Sequence, residues 1–359
     1  MIVRNEEKVL PRLAASLRGQ VDHWTIVDTG STDATVEVAR RVFDFVPGEV
    51  TTDEWRGFGP SRNVALRAAE PHTEWLLSLD ADHTLHGEIG LADLAVDVDG
   101  LDIEERYLNL RYWLPRLVRS GRGWHWVGRT HEFLTTGTNI ARRARDSTCW
   151  VEHHADGGNR EAKFRRDIEL LTKDWDERPG DERTAFYMAR TFDDLGDDPQ
   201  AIMWYRRRTE MGGWDEERFY SRYRLGVCLL RLGASDEGCG SLWRAWGERA
   251  WRAEPLVALA HHYRAANAWP LAWEACEVAF EHCGAKPDVR RRSISTDSLF
   301  VDSEATEWAI AYEASIAAWY VGQCRRGKEL VDYLLAGPVL PAAIKESVTR
   351  NANFYVSQG

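Results

Sequence analysis

The chain has 359 residues, 44% of them hydrophobic and 29% charged, enough apolar material for two cores rather than one. Forty-six basic against 57 acidic residues give a formal net charge of −11, which counts against a polybasic nucleic-acid binder that gains affinity by neutralising phosphates. No apolar run reaches the roughly 18 residues of a membrane span, and Met1 to Glu7 lacks a secretory pattern. The six cysteines are scattered without a C-x-x-C pair, so buried thiols in a cytoplasmic protein are expected.

From Met1 to about Asp156, short apolar runs alternate with helical spacing and turn residues, the pattern of β-α-β units. Met1-Ile2-Val3, Trp24-Thr25-Ile26-Val27 and Trp75-Leu76-Leu77-Ser78-Leu79 read as strands. Glu7 to Leu17, Thr35 to Phe43 and Gly59 to Ala69 read as helices; Val9, Leu13 and Leu17 share one face of the first. Parallel strands with crossover helices follow, and a ligand belongs at the carboxyl ends of those strands.

From about Gly158 the strand signal stops, and the rest reads as helix pairs with a period near 34 to 36 residues. Thr184 to Ala189 with Leu195-Gly196, Phe219 to Gly226 with Leu232-Gly233, and Leu256 to Ala260 with Tyr263 can be laid over one another. A fourth unit around Trp308 to Leu335 follows a polar insertion at Lys286 to Ser303. The domains are therefore placed at 1–156, α/β, and 157–359, all-α and TPR-like. Ten of the 17 tryptophans fall in the second, where helix packing is their expected role.

The motif with most chemistry is Asp80-Ala81-Asp82, which closes the third strand; two carboxylates two residues apart can approach one ligand. Upstream stand Asp28-Thr-Gly-Ser-Thr-Asp-Ala-Thr35 after the second strand and Trp55, Phe58 and Arg62-Asn63 at the head of the third helix. With Met1 to Glu7, these segments resemble a family 2 glycosyltransferase in order and spacing over the first 85 residues or so. Arg116-Leu117, Trp126 to Leu134, Val151-Glu-His153-His154, Arg165-Arg166-Asp167 and Leu170-Leu171 are similar to members carrying a TPR-like C-terminal domain. The resemblance implies a GT-A fold, a Rossmann-like mixed sheet, and sugar transfer of the hexosyltransferase type from a nucleotide-sugar, UDP-linked before GDP- or dTDP-linked.

A divalent cation bridging the donor phosphates neutralises charge as the glycosidic bond breaks, and hard oxygen ligands suit Mn²⁺ or Mg²⁺. Asp82 is the expected direct ligand, with Asp80 at the donor ribose or reaching the metal through water. His153 or His154 is the candidate third ligand, His153 by its place in the motif. Val3, Glu6, Asp28, Arg62 and Ala81 complete the implied donor site. By the resemblance Asp28 accepts the uracil N3–H; otherwise it caps the turn that follows it. Glu6 lies near the base or is a first-turn acid favoured by the helix dipole. Arg62 grips the diphosphate or base, or forms a surface ion pair. Transfer with inversion needs a base for the acceptor hydroxyl, a place given to Glu132, with His131 beside the acceptor or the metal. The alternative for Glu132 is an ion pair with Arg116 or Arg129. Trp124 and Trp126 stack on sugar or pack in the core.

The sequence departs from similar proteins in two places. They carry several apolar residues before the equivalent of Ile2-Val3, so a short first strand is expected here, or a start further upstream. Ala155-Asp156 stands where they have glycine and an aromatic residue. For the acceptor, a helical array suits extended peptides, so protein or peptide comes first and a glycan next. Hydroxymethylated DNA bases are a third option, and a scaffold with a degenerate catalytic domain is the non-enzyme alternative. Nucleic acid is not favoured: residues 1–155 carry 18 basic against 24 acidic groups and the remainder 28 against 33. The clusters Arg142-Arg143-Arg145, Arg206-Arg207-Arg208 and Arg290-Arg291-Arg292 read as solvated faces.

Overall fold

The computed structural model describes all residues except 92–96, 108–109, 138–140, 155, 157–159, 288–296, 298 and 357–359, and only the main chain of 110, 160–163 and 356. The chain forms two compact units, Met1–Pro179 and Gly180–Gly359.

The first unit opens as β1 (Ile2–Val3), α1 (Leu10–Ser16), β2 (Trp24–Asp28), α2 (Thr35–Val42) and β3 (Gly48–Thr52), with the three strands parallel in the order β1-β2-β3. The helices pack as their spacing dictates: Leu10, Leu13 and Ala14 of α1 and Val38 and Ala39 of α2 are buried. After α3 (Phe58–Ala69) come β4 (Trp75–Leu77), β5 (His83–Gly87), β6 (Gly100–Tyr107) and β7 (Leu110–Arg119). The short pair β8 (His125–Val127) and β9 (Phe133–Thr135) precedes β10 (Arg143–His153) and α4 (Arg160–Glu177). Five of these strands form a mixed sheet in the order β4-β7-β6-β10-β5, parallel only between β6 and β10.

The sheet is thus split. β1 spans two residues, the short first strand expected, and pairs only with β2 among the described residues. One core, containing Val3, Leu10, Ile26, Phe43, Leu79, Leu101, Ile103 and Val151, nevertheless joins residues of both sheets. The boundary expected after 156 precedes α4, whereas the compact unit runs on to Pro179. Arg129, in the loop between β8 and β9, pairs with Asp174 (2.6 Å) and Glu177 (2.7 Å) of α4.

The second unit is helical throughout its described secondary structure. It pairs α5 (Glu182–Asp194) with α6 (Asp198–Thr209), α7 (Asp215–Arg231) with α8 (Ser235–Glu248), and α9 (Glu254–Ala265) with α10 (Trp269–His282). A π-turn (Ala305–Ala309) leads into α11 (Ile310–Tyr320), which pairs with α12 (Cys324–Ala336), and α13 (Ala342–Val356) ends the array. The repeat is written in the turns. Gly196, Gly233, Asn267 and Gly322 all have φ between 58° and 79°, the left-handed conformation that ends a helix. Behind each, the next N–H reaches back into the last turn: Asp197 to Phe192 O, Ala234 to Leu229 O, Ala268 to Tyr263 O and Gln323 to Ala318 O.

Tryptophans 243, 246, 273, 308 and 319 pack against the core of this unit, which gives most of the second unit's tryptophans their place. Arg208 corrects the reading of the 206–208 cluster as solvated: it is fully buried and donates to Gly212 O (2.9 Å), Trp214 O (3.2 Å) and Glu217 (3.3 Å). Arg206 pairs with Glu237, Arg142 with Asp97 and Arg143 with Asp102, so these charges face carboxylates. The cluster at 290–292 lies outside the described residues.

Asp193 on α5 ties three helices together, accepting from Tyr205 Oη (3.0 Å), Arg224 (2.8 Å) and Arg231 (2.6 Å). Burial raises its pKa, but the bonds from Arg224 and Arg231 outweigh this and lower it. A depressed carboxylate stabilises the fold fully above its unfolded value near 3.9, and the contribution is lost as pH falls through the folded value. Asp193→Asn should cost about 2 kcal/mol at pH 7. It should also flatten the loss of stability below about pH 4, as read from urea melts across pH. An unchanged acid slope would show that Asp193 carries none of it.

Candidate active site

α3 carries the site toward the β8–β9 loop. Gly59 sits so close to that loop that a Cβ would stand 2.1 Å from the Gly128 carbonyl oxygen. Phe58 N–H donates to Arg129 O at 2.6 Å. One turn on, Asn63 closes both ends of its amide on Trp126, donating from Nδ2 to the carbonyl (2.9 Å) and accepting the N–H at Oδ1 (2.8 Å). Arg62 lies on the buried stripe of α3 together with Gly59, Ala65 and Leu66. Its guanidinium donates from Nη2 to Asp80 Oδ1 (2.5 Å) and from Nε to Glu132 Oε1 (2.6 Å). Trp126 lies 5.1 Å beneath it, and its buried Nη1 has no hydrogen-bond partner among the described residues. The fold has therefore brought together three sequence-predicted residues that are 18 and 70 positions apart.

Asp80 and Asp82 occupy the turn between β4 and β5, which leaves their carboxylates at a strand end as the pattern required. His83 begins β5 directly opposite His153, the last residue of β10. Asp82 Oδ2 is 3.3 Å from His153 Nε2, and the other ring nitrogen is 3.6 Å from Glu105 Oε1. Glu105 accepts from Tyr112 Oη (2.7 Å) and from Arg116, both on β7. His154 takes the other face of the chain, with Nε2 2.9 Å from Thr84 Oγ1. His154 lies one residue past the end of β10 and its ring turns to Thr84, so only one of the two imidazoles meets the Asp82 carboxylate. That one is His153.

The electrostatics follow from these contacts. Burial lowers the His153 pKa, but hydrogen bonds to Asp82 and Glu105 win and push it up to about 9. Burial raises Asp80, but Arg62 dominates and holds it well below the usual carboxylate range. Burial, then the charges of Asp82 and Asp80, raise Glu6 to about 7.

One ligand atom each from Asp82, His83 and His153 lies within 4.8 Å of the others. His83 is the weakest of the three. Its Nδ1 accepts the Asp80 N–H (3.1 Å), which leaves the ring proton on Nε2, 3.6 Å from Asp80 Oδ2. Burial lowers its pKa to about 4, so the ring is neutral and acts as a brace for Asp80. Asp82 and His153 form the pair that fits a cation, since the imidazolium already holds positive charge between two carboxylates.

The other expected residues are placed differently. Asp28 caps its turn, accepting from the N–H groups of Gly30 (3.3 Å) and Ser31 (3.2 Å) and the Ser31 hydroxyl (2.5 Å). Val3 and Ala81 turn their side chains into the core. His131 is half-buried with a left-handed φ of 50°. Arg116 and Arg129 pair with Glu105 and with α4, not with Glu132. Trp124 and Trp126 belong to a core cluster with Leu66, Val118 and Leu134, which corrects the option of an open stacking surface. Ala155 is outside the described residues, while Asp156 binds Arg12 of α1 (2.8 Å).

His83 and Glu105 were not singled out in the sequence. Glu105 had a signal: with Leu101 and Ile103 it lies on the buried face of β6, an acid in an apolar alternation.

Residues 1–95 match the glycosyl transferase family 2 profile. The matched residues lie within the N-terminal unit. A TPR repeat-containing protein of Synechococcus elongatus is 40% identical over 86 residues, 24% of this chain and 20% of that protein. The SPbeta prophage-derived glycosyltransferase SunS of Bacillus subtilis is 23% identical over 247 residues, covering 65% of this chain and 58% of that one. The chain thus spans about a fifth of the first relative's length and somewhat over half of the second's. Among solved structures, YrrB, described as a TPR protein with an unusual peptide-binding site, is 13% identical with a TM-score of 0.38, over 53% of this chain and 84% of its own. The α/β unit with its mixed sheet and the helix pairs that follow it have the order of elements expected of a GT-A-type unit and a TPR-like one.

Replacing Arg62 by methionine strands two carboxylates in a largely buried place. The loss should be about 3–5 kcal/mol by urea denaturation. Neutralising the partners as well, in Arg62→Met/Asp80→Asn/Glu132→Gln, should recover part of it. A triple variant no more stable than the single one would show that charge balance is not the cause.

Proposed function

We propose that the protein transfers a sugar from a nucleotide-sugar, UDP-linked in the first instance, to a hydroxyl of a protein or peptide acceptor, inverting the anomeric centre. The observation that carries this is the single buried network in which Arg62 joins Asp80, beside Asp82 and His153, to Glu132. It supplies a donor side and an acceptor side within one site, in a unit that matches glycosyl transferase family 2.

Asp82 and His153 are the residues that would hold Mn²⁺ or Mg²⁺, which when bound neutralises charge on the departing nucleoside diphosphate. One carboxylate oxygen and one imidazole suit Mn²⁺ in particular. Asp80, braced by His83 and Arg62, faces the donor ribose. Glu6 and Asp28 stand on the base side, with Asp28 already held in its turn. On the acceptor side, Arg62 fixes Glu132 by Oε1, and Oε2 accepts no hydrogen bond among the described residues. Oε2 takes the proton of the acceptor hydroxyl as that oxygen bonds to the anomeric carbon and the diphosphate leaves. A single displacement of this kind inverts configuration. His131 is placed beside the acceptor.

Glu132→Gln should lower transfer by about 10²- to 10⁴-fold while thermal-shift binding of the nucleotide-sugar persists. Asp82→Ala and His153→Ala should each abolish Mn²⁺-dependent donor hydrolysis, and His154→Ala should leave it within about twofold, because His154 faces Thr84. Hydrolysis unchanged by Asp82→Ala would remove the metal assignment. Nucleotide-sugars that bind no form of the protein would favour a scaffold.

A further inference from the structure

In the helical unit, the first helices of successive pairs, α5, α7, α9 and α11, contact one another and form an inner row. Asp297 and Leu299–Asp302, from the insertion between α10 and α11, lie along three of these helices without regular secondary structure. Side chains hold this segment by its main chain. Leu299 N–H donates to Glu216 on α7 (2.7 Å), and Asp302 N–H donates to Glu254 on α9 (3.1 Å). Arg252, just before α9, donates to the carbonyls of Leu299 (3.4 Å) and Phe300 (3.1 Å). Glu216, Glu254 and Arg252 are all buried charged residues.

Two side chains of the segment are read as well. The Asp297 carboxylate accepts from Arg249 (2.5 Å) and Arg252 (3.3 Å). The Phe300 ring lies 5.1 Å from Tyr220 and 6.3 Å from Phe186, with the Arg190 guanidinium 3.9 Å from its centroid. Phe300 itself is in the left-handed region, φ 45°, so the strain resides in the bound segment and not in the helices that hold it. Main-chain groups captured by fixed side chains, one carboxylate clasped by arginines and one aromatic anchor make up a peptide-reading surface.

We infer that the inner row of α5, α7 and α9 is a peptide-binding groove held closed by the chain's own Asp297 and Leu299–Asp302. Its partner in trans is an extended peptide with a carboxylate three residues before an aromatic ring. Glu216, Glu254 and Arg252 address backbone that any peptide has, whereas Arg249, Arg190 and Tyr220 select the acid and the ring. The internal segment acts as a competitor, so a peptide in trans binds with its affinity reduced by the fraction of chains whose groove is open. The inference takes from the proposed function only the idea that the partner includes the acceptor.

The test needs neither donor nor metal, so it fails or succeeds apart from the transferase reading. A fluorescein-labelled peptide of residues 295–304 is titrated into the full chain and into Asp297→Ala/Phe300→Ala, which loosens the resident segment. The variant should bind the peptide about tenfold more tightly than the parent, and a peptide with both residues replaced by alanine should not bind. A folded variant that shows no saturable binding, or that binds the alanine peptide equally, overturns the proposal. Should the variant fail to fold, amide exchange on the unaltered chain decides. The Leu299 and Asp302 amides should exchange at least about tenfold faster than buried α7 amides, by a local opening. Exchange of all of them only through global unfolding would make the segment a fixed part of the fold and overturn the proposal.

Discussion

A buried guanidinium is the constraint around which the N-terminal unit is arranged. Arg62 lies on the inward stripe of α3, where spacing alone would call for an apolar residue, and it is 8% exposed. Such a charge is tolerable only when paired and hydrogen-bonded. The two carboxylates that satisfy it come from the turn after β4 and from the loop before β9. The fit of Gly59 against Gly128 and of Asn63 against Trp126 draws that loop in, so the packing of α3 and the ion pairs specify the same arrangement. A site whose acidic groups are fixed this way loses little on reorganising around substrate, which is the energetic value of preorganisation.

The same principle orders the sheet side. His153 stands at the end of β10 between Asp82 and Glu105, and Glu105 is anchored by Tyr112 and Arg116. Each acid in this row has a positively charged or hydrogen-bonding neighbour, from β10 for Asp82 and from β10 and β7 for Glu105. The antiparallel pairing of β5 with β10 sets His83 opposite His153. It also decides which of two adjacent histidines faces the site, which sequence order alone does not settle.

Much of this was legible from the residues. Helices α1 to α3 and the four helix pairs appear where apolar spacing and turn glycines place them, because both signals are local. The five-stranded sheet was not resolved strand by strand, since β6 and β7 alternate apolar residues with Asp102, Glu104, Glu105 and Arg116, and the buried ion pair Glu105–Arg116 breaks the pattern. β3, with glutamate and threonine and no fully buried residue, carries almost no strand signal. Arg208 was misread for a related reason: three arginines in a row look like a solvated face, yet one turns inward to carbonyls and a carboxylate that lie within nine positions of it. The groups a charge pairs with decide whether it is inside, and periodicity does not contain them.

The overall acidity of the chain gains a local meaning at the site. Glu6, Asp80, Asp82, Glu105 and Glu132 outnumber Arg62, Arg116 and the His153 imidazolium by two. A divalent cation taking the place of the His153 proton would cancel one unit of that excess. Glu6, raised to about 7 by burial and by these same carboxylates, absorbs the remainder by holding a proton near neutrality. An excess of acid is therefore what would gather the proposed cation, and with it an anionic donor, in a chain that carries a net charge of −11. Of the basic clusters, Arg142, Arg143, Arg206 and Arg208 each face a carboxylate of their own. In the proposed function, the anionic donor is held through one buried network, by way of the cation that Asp82 and His153 would hold.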